Sequence, residues 1–379
     1  MIGQFLAGAL GVALAGVLLP GGIAAPTQEA DLIRSDQWHL PFLHIDRAHL
    51  LSQGSGVIVA VPDTGVDAHP DLRGNLLEGT DVIPGGSGDG RQDRDSHGTS
   101  MAGLIAAHGG EDGRGALGIA PRARILPIFD TPPNGLGDPD ALASGIEFAI
   151  ARGADVISIS AVAGASVRLQ QAILSAQNAD VVVVAAAGNR PMDTLVGYPA
   201  SEEGVIAVGG IGRDGLHAAI SVTGPRVDVA APAVDIYSTS YDGKYSKGTG
   251  TSSATAIVAG AAALIRSKYP HLPAREVAHR LTATAIDKGA PGRDDEYGYG
   301  VIDLVAALTA DVPPLGFESV TASAGAGPTT AVAQPGGDEG AATARGLATL
   351  GVILAAGVGW AVVARRRRRG DDPPPRISR

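Results

Sequence analysis

Val57-Ile58-Val59-Ala60-Val61-Pro62-Asp63-Thr64-Gly65-Val66 is an apolar run of strand length that stops at a carboxylate and a turn-forming Thr-Gly. Runs of the same kind recur at 124–128, 155–159, 181–185 and 205–208. Helical patterns lie between them at 97–107, 139–152 and 166–178. Short strands that are apolar on both faces and alternate with helices predict an α/β fold: a doubly wound, mostly parallel sheet with helices on both faces. In such sheets the functional groups gather beyond the carboxyl ends of the strands. The residues just after each apolar run are therefore the ones to inspect.

Four positions stand out. Asp63 closes the first run. Asp95-Ser96-His97-Gly98-Thr99-Ser100-Met101-Ala102-Gly103 places His97 at the start of an apolar helix. Ala187-Gly188-Asn189 sets an amide after the fourth run. Gly248-Thr249-Gly250-Thr251-Ser252-Ser253-Ala254 leads from a glycine-rich turn into a long helix of small residues at 253–268, with Ser252 at the junction. A serine hydroxyl is a weak nucleophile. An imidazole must take its proton, a carboxylate must hold the imidazole's tautomer, and amide N–H groups must meet the developing oxyanion. Each position alone has a plainer reading, since Asp, Asn and Ser favour turns and caps. Together, in order and in predicted element, they assemble one chemistry.

The chain order Asp, His, Ser is that of subtilisin, and the sequence resembles the subtilisin-like serine proteases, the subtilases, over about 56–308. Residues 61–66, 97–103, 187–189 and 250–260 are similar to that family's Asp, His, Asn and Ser motifs, and Tyr198-Pro199-Ala200 and 298–303 match further stretches. The resemblance implies a serine endopeptidase with Asp63, His97 and Ser252 as catalytic residues and Asn189, with the Ser252 N–H, as oxyanion hole. It implies substrate binding by Ser160, Ala161, Val162, Ala187 and Gly188, where substrate backbone adds as a strand. It requires no cofactor and no metal. A narrower resemblance, carried by Gln37-Trp38-His39-Leu40, Asp67-Ala68-His69-Pro70-Asp71-Leu72 and the two apolar ends, is to the mycosins, membrane-anchored subtilases of actinobacterial type VII secretion systems. It implies protein or peptide substrates, namely secreted proteins that the enzyme processes, and contact with the type VII secretion membrane complex. A second reading makes the protein mainly a structural component of that complex, with proteolysis dispensable.

Departures from the family pattern are informative. Ala256 replaces the usual proline after the nucleophile and favours the helix. Ser160-Ala161-Val162 replaces Ser-Leu-Gly, so a β-branched side chain narrows the first pocket. No cysteine is present, which excludes thiol catalysis and disulfides and requires the loops to be held otherwise.

The remaining features organise the chain. A net charge of −10 argues against nucleic-acid binding. Residues 1–25 read as a signal peptide and 346–364 as a transmembrane helix, followed by Arg365 to Arg369, which the positive-inside rule keeps cytoplasmic. Between them lie an N-terminal extension at 26–55, expected as an extended arm and short helix wrapping the catalytic domain, a peptidase domain at 56–310 and a flexible linker at 311–345; a cytoplasmic tail follows at 365–379. The protein is thus expected in the cell membrane with its catalytic domain outside. Asp89, Asp93 and Asp95, interleaved with arginines, read as a solvated loop beside His97 rather than a Ca²⁺ site.

Overall fold

The structure is a computed structural model that describes residues 27–110, 113–132 and 137–316. The signal-like start, most of the linker, the apolar stretch 346–364 and the basic tail lie outside the described residues. Among the described residues, no helix is long and apolar enough to cross a membrane.

The chain opens with three helices, α1 (Thr27–Asp36), α2 (His39–Phe42) and α3 (Ile45–His49), and then enters an alternation of strands and helices. In order these are β1 (Ile58–Asp63), β2 (Thr80–Asp81), α4 (His97–Ala106), β3 (Arg124–Phe129), α5 (Pro139–Ala151), β4 (Val156–Ile159), α6 (Val167–Asn178), β5 (Val182–Ala186), β6 (Ile206–Ile211) and β7 (Val229–Pro232). A hairpin of β8 (Ile236–Thr239) and β9 (Tyr245–Gly248) leads into α7 (Thr251–Lys268), α8 (Ala274–Ala283) and α9 (Leu304–Thr309). The first seven strands form one parallel sheet in the order β2-β3-β1-β4-β5-β6-β7. The predicted α/β fold is the observed one.

Strand periodicity divides the core into two layers. Val59, Val61, Val156, Val182 and Val184 face the layer holding α4 and α7. Ala60, Ile157, Ile159, Val183 and Ala185 face the layer holding α5 and α6. Both faces are apolar because both are covered, which is why the strands read as unbroken runs. Helix starts follow local chemistry: Asp138 accepts from the Asp140 N–H with Pro139 next to it, and Ser166 accepts from the Leu169 N–H.

The chain reverses its winding between β1, which pairs with β3 on one side, and β4 on the other. Asp63 and Ser160 leave the sheet at adjacent carboxyl ends there, the position where a ligand crevice forms.

Residues 27–52 differ from the extended arm expected. They form three short helices because Trp38, Leu40, Leu43, Ile45 and Ala48 are buried in the main core, and that packing favours a helical path. Gln37, fully buried, donates through Nε2 to the carbonyls of Leu117 and Tyr237 and accepts the Leu117 N–H. The Trp38 indole donates to the Val234 carbonyl at 3.0 Å.

Glycine sets the spacing behind the site. A Cβ on Gly103 of α4 would lie 2.1 Å from Thr239 Oγ1 and 2.6 Å from Ser238 Oγ. Those two hydroxyls donate to the Thr99 and Ser100 carbonyls of the same helix. Replacing Gly103 by valine therefore forces the helix off β8 and breaks two buried hydrogen bonds. The expected loss is about 2–3 kcal/mol, read as a lowered urea midpoint at unchanged m-value.

Candidate active site

Asp63 is the last residue of β1 and is 5% exposed. Its carbonyl accepts the N–H groups of Asp130 and Thr131, and its Oδ1 accepts the Thr64 N–H at 2.7 Å. His97 is the first residue of α4, reached through Ser96 in the left-handed region at φ 91°. Its Nδ1 lies 2.8 Å from Asp63 Oδ1 and 2.9 Å from Oδ2. A carboxylate accepts only, so in the neutral imidazole Nδ1 carries the hydrogen and Nε2 is left as the acceptor.

Electrostatics at this pair oppose each other. Burial disfavours the charged imidazole, but the Asp63 carboxylate, with Asp95 and Asp93 adding to it, outweighs that and raises His97 to about 9. Asp130, beyond the end of β3, moves the same way for another reason. Burial first, and the Asp63 charge second, push its carboxyl up to about 8, so near neutral pH it adds little negative charge beside Asp63.

Ser252 lies in the first turn of α7, which starts two residues before the expected helix. Gly250 has no side chain to cap this helix, and Asn189 does so from across the site. Its Oδ1 accepts both the N–H of Thr251 at 2.9 Å and the Thr251 hydroxyl at 3.2 Å. Those two donors fix the amide's orientation and leave Nδ2 as a free donor. The Ser252 N–H is one of the helix's unpaired first-turn donors.

His97, Asn189 and Ser252 line one cavity of about 410 Å³, with Ser96 and Met101 of the His97 segment on one side and 246–250 on the other. Within it the Ser252 hydroxyl donates to the Ser160 carbonyl at 2.8 Å rather than to His97. Hydrogen bonds between a nucleophile and its base commonly tighten only when substrate is bound.

The five residues expected to bind substrate separate into two groups. Ala161 and Val162 are exposed, whereas Ser160, Ala187 and Gly188 are buried. Ala187 exchanges backbone hydrogen bonds with Val208 and Gly197, and Gly188 bonds Val222 and the Thr251 hydroxyl, so these two support the site from behind. Gly188 adopts φ 116°, and a Cβ there would press on Asp193 at 3.0 Å. Val162 fills the space beside Gly197, where a Cβ would meet Val162 Cγ1 at 2.5 Å.

The loop beside His97 is solvated at Asp89, Arg94 and Asp95, but Asp93 departs from that expectation: it is 5% exposed and its carboxylate accepts hydrogen bonds from Thr64, Asp95, Ser96 and Thr99. Alternating charges hid it, although its place four residues before His97 was the available signal. Among the described residues, no group of three or more His, Asp or Glu side chains could hold a metal ion.

The family description "Subtilase family" matches residues 54–300. The chain belongs to the subtilases. Subtilisin DY of Bacillus licheniformis is 38% identical over 274 residues, covering 71% of this chain and 97% of that protein. Mycosin-1 of Mycobacterium tuberculosis is 36% identical over 382 residues, covering 85% of this chain and 83% of that protein. The crystal structure of MycP1 from the ESX-1 type VII secretion system superposes with TM-score 0.66 at 33% identity, covering 73% of this chain and 86% of that one. The structure of the MycP3 protease from the ESX-3 system gives TM-score 0.63 at 34% identity, covering 72% and 88%. As a subtilase related to the mycosins, the protein is a serine endopeptidase.

In an NMR titration the His97 imidazole is expected to lose its proton well above pH 6.5, toward 9, and at lower pH in Asp63→Asn, where the main raising charge is gone. A wild-type midpoint at or below 6.5 would show that burial wins over Asp63.

Proposed function

We propose that Asp63, His97 and Ser252 are the catalytic triad and that Asn189 Nδ2 and the Ser252 N–H form the oxyanion hole. The observation that carries this reading is the His97 Nδ1–Asp63 bond, which turns Nε2 to a cavity shared with Ser252 and Asn189. Ser252 Oγ leaves the Ser160 carbonyl and attacks the scissile carbonyl carbon as its proton passes to His97 Nε2. Asp63 stabilises the resulting imidazolium. The carbonyl oxygen becomes an oxyanion held by the two N–H donors. The C–N bond then breaks, the amine leaves with the proton from His97, and water hydrolyses the acyl-enzyme by the same steps. The neutral imidazole is the working base, and with its pKa raised to about 9 its share grows as pH rises toward that value rather than toward 6.5.

Substrate enters as an extended strand beside 160–162, with Val162 narrowing the pocket at Gly197, and Ala187 and Gly188 hold the wall behind it. The 26–55 segment is a permanent extension of the 56–310 peptidase domain, and 346–364 tethers the enzyme by one transmembrane helix, catalytic domain outward. Kinship with mycosin-1 and the type VII secretion structures supports secreted proteins as substrates and the secretion membrane complex as partner. MycP1 is described as an essential component of such a system, which supports a second, structural role.

The test is fluorophosphonate labelling and peptide hydrolysis by the full chain. Ser252→Ala is expected to lose both while folding normally, and Asn189→Ala to lose about 10²–10³ in kcat with KM little changed. Wild-type hydrolysis by Ser252→Ala would end the assignment. A Ser252→Ala chain that restored export to a strain lacking the protein would favour the structural role.

A further inference from the structure

We propose that Asp93 is a positioning residue that locks Asp63 and His97 in register; the proposal rests on the triad reading above. Asp63 and His97 sit on separate elements, the end of β1 and the start of α4, and the sheet ladder does not join them. The Asp93 carboxylate does. Its Oδ1 accepts the Thr64 hydroxyl at 2.9 Å, from the residue that follows Asp63. The same oxygen accepts the N–H groups of Asp95 and Ser96, both at 2.9 Å, from the residues that precede His97. Its Oδ2 accepts the Thr99 N–H at 2.9 Å and the Thr99 hydroxyl at 2.6 Å, from the first turn that follows His97.

The bridge is closed on both sides. Thr64 Oγ1, while donating to Asp93, accepts the Gly98 N–H at 3.0 Å, so one hydroxyl joins the residue after Asp63 to the residue after His97. The Asp93 N–H is itself held by Asp67 Oδ1 at 3.0 Å. No basic side chain pairs with Asp93 among the described residues, and each of its bonds goes to backbone N–H or hydroxyl groups around the catalytic pair. Ser96 holds φ 91°, which a non-glycine residue keeps only where surrounding bonds over-determine it. Its N–H on Asp93 and its hydroxyl 2.8 Å from that of Ser240 supply them. A carboxylate with two oxygens is the one side chain that can receive all these donors. An amide would turn NH₂ against N–H groups on one side.

The experiment compares the full chain with Asp93→Asn, Thr64→Val and Thr64→Ser, using hydrolysis of a chromogenic peptide anilide normalised to active sites titrated with a fluorophosphonate. Asp93→Asn is expected to lower kcat per titrated site about 10²-fold with KM within about threefold, because displacement of reacting groups by about 1 Å costs that much. Thr64→Val, which removes no charge, is expected to lower it about tenfold, and Thr64→Ser to restore it. Combining Thr64→Val with Asp93→Asn is expected to cost little more than Asp93→Asn alone, since the two cut one bridge. A purely structural role would reduce the number of titrated sites and leave kcat per site and KM unchanged, and that result overturns the proposal. If Asp93→Asn does not fold, wild-type kcat per site in Thr64→Val overturns it alone. His97→Ala run in parallel separates the two readings: wild-type hydrolysis there would remove the triad itself, whereas loss there with intact Thr64→Val would remove only the role of Asp93.

Discussion

The hydrogen bond between His97 Nδ1 and the Asp63 carboxylate is the interaction on which the arrangement depends. It needs an ionised carboxylate kept almost out of water and an imidazole brought to it from another element. The sheet supplies the first. β1 is paired on both sides, Asp63 aligns with Phe129 of β3, and two N–H groups fix the Asp63 carbonyl. The glycine chemistry of the next segment supplies the second, because a Cβ on Gly98 would meet the Gly65 carbonyl at 2.1 Å. With Asp130 pushed up to about 8, burial leaves one dominant carboxylate charge beside the imidazole below that pH.

Small residues do the remaining positioning. Between Ala254 and Ile265, α7 is buried along its whole length, which lets it lie close beneath β4, β5, β6 and β7. At Gly260 a Cβ would come within 2.7 Å of Ile119 Cβ, so this helix touches the loop after α4 almost backbone to side chain. Ala256, fully buried in the same helix, adds helix propensity without bulk. Ser252 and His97 are thus carried by two helices packed on one face of one sheet, and their separation follows from side-chain volumes.

Much of this was legible in the sequence, and for physical reasons. A parallel strand covered on both faces has to be an apolar run, so β1, β3, β4, β5 and β6 announced themselves, and Asp63, His97, Asn189 and Ser252 followed as the polar residues at their ends and at helix starts. β7, β8 and β9 did not, because four-residue strands containing Pro232, Tyr237 or Lys247 carry little periodic signal. The segment 27–52 reads as an extended arm and one short helix where three helices form, since these are stabilised by distant partners rather than by local propensity. The buried role of Asp93 was hidden for a similar reason: its donors come from Thr64 as well as from its own loop, and alternating charge ordinarily means solvent. That Asn189 caps α7 is likewise a tertiary fact, with donor and acceptor 62 positions apart in the chain.

A chain without cysteine must hold its loops by other means, and the arm shows how. Gln37 and Trp38 satisfy carbonyls at Leu117, Tyr237 and Val234. Tyr237 lies on β8, β8 pairs with β9, and β9 runs into the 246–250 wall of the cavity and then Ser252. Buried amide and indole donors are costly to leave unpaired, so each such bond fixes a specific loop position as a cross-link would, but only while the arm stays packed. The order of the segment that leads to Ser252 is therefore coupled to burial of Trp38, Leu40 and Leu43 in the main core. Residues 37–48 are thus part of the core that shapes the cavity of His97 and Ser252.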